Sequence, residues 1–273
     1  MTVAPRLVFG RLVIALSVVS GALVACSSGQ SPPPPWKLVW SDEFDGSALD
    51  TTKWSIDTGD SFGTGQQDYD TARPENISVA GGRLAITAIE ESYEGQSYTS
   101  GRIETGGLFS QKYGRFEASI QIPHGQGMWP AFWLLGASFA SVGWPQCGEI
   151  DIMENRGATP TSVVGSLHGP GGNNVTAGYA LPSGASFSDG FHQFAVEWEP
   201  GVVRWYVDGA LYETQSADTF PDSQPWVFDQ PFFVILNLAV GGQFGGSAGA
   251  STPFPQSMLV DYVHVYARAG ESS

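Results

Sequence analysis

Nowhere does this 273-residue chain hold a long window with apolar residues at i, i+3, i+4, i+7, the recurrence that builds one face of a helix. Runs of strand-forming residues are instead cut off by turn residues, among 35 glycines and 18 prolines. A chain so punctuated reads as many short strands joined by turns. In FHQFAVEWEPGVVRWYVDGALYET (191–214), Pro200-Gly201 and Asp208-Gly209 separate three strands. PFFVILNLAVGG (231–242) is a near-continuous apolar run closed by a double glycine, as suits a sandwich core. MLVDYVHVYAR (258–268) is expected to place Leu259, Val263 and Val265 on one face with Asp261 among them. The length allows a sizeable core, and no internal repeat is visible. The expectation is one all-β domain, a β-jelly-roll sandwich of two antiparallel sheets.

The first 35 residues differ in kind. Arg6 and Arg11 precede an apolar run, Leu12 to Ala25, that is too short to span a membrane and reads as an export signal over 1–25. Its end, Leu23-Val24-Ala25-Cys26, resembles the lipobox of bacterial lipoproteins, in which Cys26 would become the lipidated first residue; an ordinary cleaved signal is the alternative. Residues 26–35 then form a Ser/Pro-rich linker, leaving 36–273 as the folded domain. If Cys26 is lipidated or removed, Cys147 stands alone and no intrachain disulfide forms. The formal net charge is −15, and the leader holds two arginines and no acids, so the domain is more acidic still. Nucleic acid, anionic membrane surfaces and sulfated polymers are unsuited to such a surface.

The densest chemistry lies in GEIDIMEN, residues 148–155. On a strand, Glu149 and Asp151 share one face and Ile150 and Ile152 the other. Glu154 is out of phase. A β-bulge at Ile152-Met153 would return it to the polar face. Three carboxylates so placed could ligate a hard cation, line a solvated face, or work as a glycosidase pair. Cation loops favour flexible, Gly-bearing backbone over a β-branched strand, and Trp129, Trp133 and Trp144 just upstream suit sugar rings, which favours the glycosidase. Cys147, two residues before Glu149, points to the same face, beside the substrate or as a small buried hydrophobe.

GEIDIMEN resembles the bulged signature of glycoside hydrolase family 16, the form carried by laminarinases, the endo-β-1,3-glucanases. The resemblance spans Trp36 to Arg268 through WSDEFDG (40–46), SGRIETGG (100–107), KYGRFEASIQIPHGQGMWPAFWLLG (112–136), GSLHGPGG (165–172) and ILNLAVGG (235–242). It implies a jelly roll with a concave substrate cleft. By position in the motif, Glu149 matches the nucleophile, Glu154 the acid/base and Asp151 the carboxylate assisting between them. Trp129, Trp133, His168, Asn76 and Arg102 match positions that meet sugar in relatives. Asp261 matches an Asp that joins Glu43 and a backbone carbonyl near Gly82 around a structural Ca²⁺; catalysis itself needs no cofactor.

A retaining mechanism brings its two carboxyl groups to roughly 5–5.5 Å. Positions four strand steps apart lie about 13 Å apart at the backbone, so sheet curvature and leaning side chains must close the difference. The three carboxyls then titrate as a coupled set, expected to keep Glu154 protonated and Glu149 ionised. The reading is an exported, monomeric enzyme acting on a neutral β-1,3-glucan. Its alternatives are a mixed-linkage glucanase, a galactan hydrolase, or a glucan-binding protein without turnover.

Overall fold

The computed structural model describes residues 1–2, 35–171, 173–220 and 224–268, so nearly all of the export segment and of the linker, with Cys26, lies outside the described residues. In chain order the strands are β1 (Trp36–Asp42), β2 (Ser55–Asp57), β3 (Asp68–Asp70), β4 (Ile77–Val79), β5 (Leu84–Tyr93) and β6 (Gln96–Ser100). There follow β7 (Arg102–Glu104), β8 (Gly114–Gln121), β9 (Met128–Gly136), β10 (Glu149–Glu154), β11 (Ser162–Gly169) and β12 (Asn173–Ala180). The last are β13 (His192–Glu199), β14 (Val202–Val207), β15 (Ala210–Ser216), β16 (Phe232–Val240) and β17 (Gln256–Arg268). Two single-turn helices, α1 (Phe139–Val142) and α2 (Gly242–Gly245), interrupt them.

One sheet runs β15-β14-β13-β8-β17-β5-β6-β3, with β1 added on β17 and β4 on β5; the other runs β12-β11-β10-β9-β16-β7-β2. Consecutive hairpin strands alternate with pairings between strands far apart in the chain, such as β13-β8, β8-β17 and β9-β16, as a jelly roll requires. The three strands separated by Pro200-Gly201 and Asp208-Gly209 are β13, β14 and β15, and Gly201 and Gly209 supply the positive φ of the turns, 72° and 77°.

The core lies between the sheets. Phe132, Leu134, Ile150, Ile152, Val234 and Leu236 from the second sheet meet Phe116, Ile120, Phe194, Trp198, Trp205 and Val263 from the first, all at most 2 % exposed. Burial of one such side chain contributes about 1.5–3 kcal/mol. β16 is buried at every position except Asn237, because Phe233 and Ile235 on its outer face cluster with Leu135, Cys147 and Trp133 while its inner face joins the core.

β17 corrects the sequence reading. Its pairing with β8 slips between Val260 and Tyr262, so Asp261 is an inserted residue. Met258 and Val260 face the core before the slip, and Val263, Val265 and Ala267 after it. Leu259 is therefore half-buried on the opposite side, not in line with Val263, because one extra residue inverts the alternation.

Candidate active site

The bulge in β10 is present. Against β9, Asp151 pairs with Trp133 and Met153 with Phe132; against β11, Asp151 pairs with Ser166 and Glu154 with Val164. Ile152 and Met153 thus occupy one step of the ladder, and both are buried, at 2 % and 0 % exposure. Glu154 is thereby returned to the face that carries Glu149 and Asp151. The displaced backbone does not go unpaired, since the Trp205 indole N–H on the facing sheet donates to the Asp151 carbonyl at 2.7 Å. Gly165 makes room for that contact. A Cβ there would lie 2.4 Å from Trp205 Cδ1. Beyond Glu154, the buried Asn155 amide donates to the carbonyls of Thr159 and Ser162 and fixes the strand's exit.

Directly opposed residues of an antiparallel pair share a face, so the pairing lays out rows across the sheet. One row reads His168, Glu149, Leu135, Phe233; the next Ser166, Asp151, Trp133, Ile235, Glu104; the third Glu154, Ala131, Asn237, Arg102, Asp57. His168 Nε2 lies 2.8 Å from Asp151 Oδ2 and 3.6 Å from Glu149 Oε1. Trp129 Nε1 donates to Glu154 Oε1 at 2.8 Å, and Trp133 Nε1 to Asn237 Oδ1 at 2.8 Å. Trp129 is itself held against Phe244 and over Gly242, where a Cβ would lie 2.9 Å from its ring. Trp144, half exposed, places its ring 6.3 Å from that of His168.

Burial dominates the electrostatics. It pushes Glu149 up to about 8, Asp151's charge adding to the rise, and Glu154 up to about 7, partly opposed by the Trp129 hydrogen bond. Asp151 rises to about 6, with Glu154 adding to the effect and His168 opposing it. Near neutral pH the trio therefore shares protons. This departs from the expectation that neighbouring charge helps keep Glu154 protonated while Glu149 stays ionised, because Glu149, desolvated beside Asp151, rises at least as far. The imidazole of His168, facing both carboxyls, is the group placed to stabilise their ionised forms. Glu149, Asp151 and His168 also bring one donor atom each within 4.8 Å. Two carboxylates and an imidazole do not suit Ca²⁺, which takes six to eight oxygens.

Of the other residues expected at the site, Trp129, Trp133, His168 and Arg102 stand on this face. Asn76 does not. It is fully buried, accepting from Thr71 and Arg73 and donating to the Thr87 carbonyl and Thr99, so no sugar reaches it. Cys147 is buried in a small cluster with Leu135, Phe233 and Ile235, and burial pushes its thiol up to about 11, far from reactive thiolate. Around the expected Ca²⁺ site, one oxygen of Glu43 lies 2.7 Å from His264 Nε2, Gly82 lies beside Asp45, and Asp261 sits on the β17 bulge. The second Glu43 oxygen, the Asp261 carboxylate and backbone carbonyls are the donors that set offers a hard cation. Asn237, Trp205 and Gly165 were not anticipated. For Trp205 and Gly165 no local signal exists, since their roles arise only where the two sheets meet.

A sandwich whose outer sheet face presents one buried and two partly exposed carboxylates among tryptophans defines a carbohydrate-cleaving enzyme, and residues 64–263 match the glycosyl hydrolases family 16. The chain belongs to that family. It is 43 % identical over 270 residues to a protein of Rhodothermus marinus named beta-glucanase, covering 94 % of each chain. The solved laminarinase catalytic domain of Thermotoga maritima MSB8 superposes with a TM-score of 0.82 at 44 % identity, over 86 % of this chain and 99 % of that one. Identity to the glucan endo-1,3-beta-glucosidase A1 of Niallia circulans is 36 %, over 84 % of this chain but 37 % of that longer protein.

Proposed function

We propose that the chain is an endo-β-1,3-glucanase acting by double displacement. The observation that carries the reading is the β10 bulge, which turns Glu154 to the face of Glu149 and Asp151 and under the indole of Trp129. Glu149, ionised, attacks the anomeric carbon as Glu154 gives its proton to the departing glycosidic oxygen, leaving a glycosyl ester on Glu149. Glu154, now a carboxylate, takes a proton from water, and the water oxygen displaces Glu149 from the sugar with β configuration restored. Asp151 and His168 hold charge and protons beside the nucleophile.

Relatives named for β-1,3-glucan cleavage support the substrate, as does the charge of the site. Residues 123–175 contain one arginine, Arg156, and no lysine, and Arg102 on the same face is paired with Asp57, against Glu149, Asp151 and Glu154. Purified residues 36–273 are expected to cleave laminarin or curdlan internally, mixed-linkage glucan more slowly and κ-carrageenan not at all. Preferred release of carrageenan or agarose oligosaccharides would overturn the substrate.

We also propose export, through residues 1–25, and anchoring through a lipidated Cys26, on the sequence pattern alone. Full-length protein should then take up labelled fatty acid, and Cys26→Ala should lose the label; an unlabelled wild type refutes the anchor. A structural Ca²⁺ held by Glu43, Asp261 and a backbone carbonyl near Gly82 is proposed on the resemblance and on the bulge that sets Asp261 apart from the ladder. At a Ca²⁺ concentration 100 times Kd it would add about 2.7 kcal/mol to stability. Chelation should lower the melting temperature of the wild type and leave Asp261→Asn unchanged; equal melting of the wild type with and without chelator removes the site.

A further inference from the structure

Arg102 is the cation of the third row, and its surroundings are unusually complete. Its guanidinium lies 4.7 Å from the Phe62 ring centroid and 4.9 Å from that of Trp133, so aromatic rings flank it. Nε donates to Asp57 Oδ2 at 2.9 Å, and the side chain is only 13 % exposed. The two terminal nitrogens make no hydrogen bond among the described residues and keep some access to solvent. Asp57 and Glu104, flanking it on β2 and β7, balance its charge, and burial with Asp57's charge pushes Glu104 up to about 7. Such a group is a fixed donor to neutral hydroxyls rather than an anchor for anions.

Trp133 belongs to the sheet, but Phe62 arrives on the loop between β2 and β3, where Gly59, Gly63 and Gly65 hold positive φ. We propose that Phe62 is a positioning residue for the substrate: it clamps Arg102 against Trp133 so that the free terminal nitrogens donate to hydroxyls of a glucose unit remote from the scissile bond. Counting strands from Glu154 through Ala131 and Asn237 to Arg102 gives three steps, about 14 Å at the backbone. The guanidinium reaches back over Trp133, whose strand adjoins that of Asp151, so a long chain gains this contact in more productive registers than a trisaccharide does. The clamp therefore makes the enzyme prefer long chains.

This rests on the glucanase reading, and the test separates the two. For wild type, Phe62→Ala and Phe62→Tyr, kcat/KM is measured on laminaritriose and laminarihexaose, with melting temperatures alongside. Loss of one cation–π face in a partly desolvated site predicts that Phe62→Ala lowers the hexaose-to-triose ratio about five- to tenfold, chiefly through KM. Phe62→Tyr should restore the ratio, and both variants should melt within a few degrees of the wild type. Equal losses on the two lengths, an unchanged ratio, or a loss that follows the melting temperature and is not rescued by Tyr overturns the clamp alone. A wild type that cleaves no β-1,3-glucan overturns the glucanase reading and the clamp with it.

Discussion

Glu149→Gln leaves the protein folded, able to bind glucan, and slower by a factor on the order of 10⁵. The amide keeps the shape of the carboxylate and its place opposite Leu135 and His168, but it cannot form and release a glycosyl ester. Binding should survive because Trp129, Trp133 and Arg102 do not depend on Glu149 for their contacts. The same change should stabilise the fold at high pH. A carboxyl whose folded pKa lies near 8, above its ordinary value of 4.5, favours the folded state most below 4.5, and that contribution is lost as pH rises through 8. Glutamine has no charge to bury. The variant should therefore melt above the wild type at pH 9 and close to it at pH 4, in keeping with active sites that trade stability for chemistry. A lower melting temperature at pH 9, or activity within tenfold of the wild type, contradicts the role of Glu149.

Glu154→Gln separates two kinds of substrate. On β-1,3-glucan, whose leaving group must be protonated, kcat/KM should fall by about 10²–10⁴-fold. On an aryl β-glucoside with an acidic phenol the formation of the glycosyl ester needs no proton and should be nearly retained. The pH profile gives an independent reading. With Glu154 raised to about 7, the wild type holds the acid form below that value and loses it as pH climbs through it, giving an alkaline limb on glucan. The variant's aryl-glucoside turnover should lack the part of that limb due to Glu154. Equal losses on both substrates would remove Glu154 from the acid/base role.

What could be read in advance divides along local and non-local lines. The interval between Asp151 and Glu154 is odd where a strand demands even, and that arithmetic, with apolar Ile152 and Met153 between, locates the bulge from the sequence alone. The same signal stands at Val260 and Val263, three apart and both buried, and attending to Leu259 instead concealed it. The turn residues marked β13, β14 and β15 because a hairpin's chemistry is contained in a few neighbouring positions. Asn76 was misplaced for the opposite reason. Thr71 and Arg73 are near in sequence, but the partners of its amide N–H groups, the Thr87 carbonyl and Thr99, are 11 and 23 residues away, and no local pattern shows that the network is buried. Trp205, 54 residues from the carbonyl it satisfies, and Phe62, packed on an arginine 40 positions further on, depend wholly on how the sheets close and the loops fold back.

The bulge matters only if it brings Glu149 and Glu154 to bear on one bond as nucleophile and acid, and the stereochemistry of the first product reports that directly. Proton NMR during the first minutes of laminarin hydrolysis, before mutarotation mixes the anomers, should show the β-anomer of the new reducing end appearing first and the α-anomer growing in later. Initial formation of the α-anomer would mean a single displacement by water, and would contradict the assignment of Glu149 as the nucleophile.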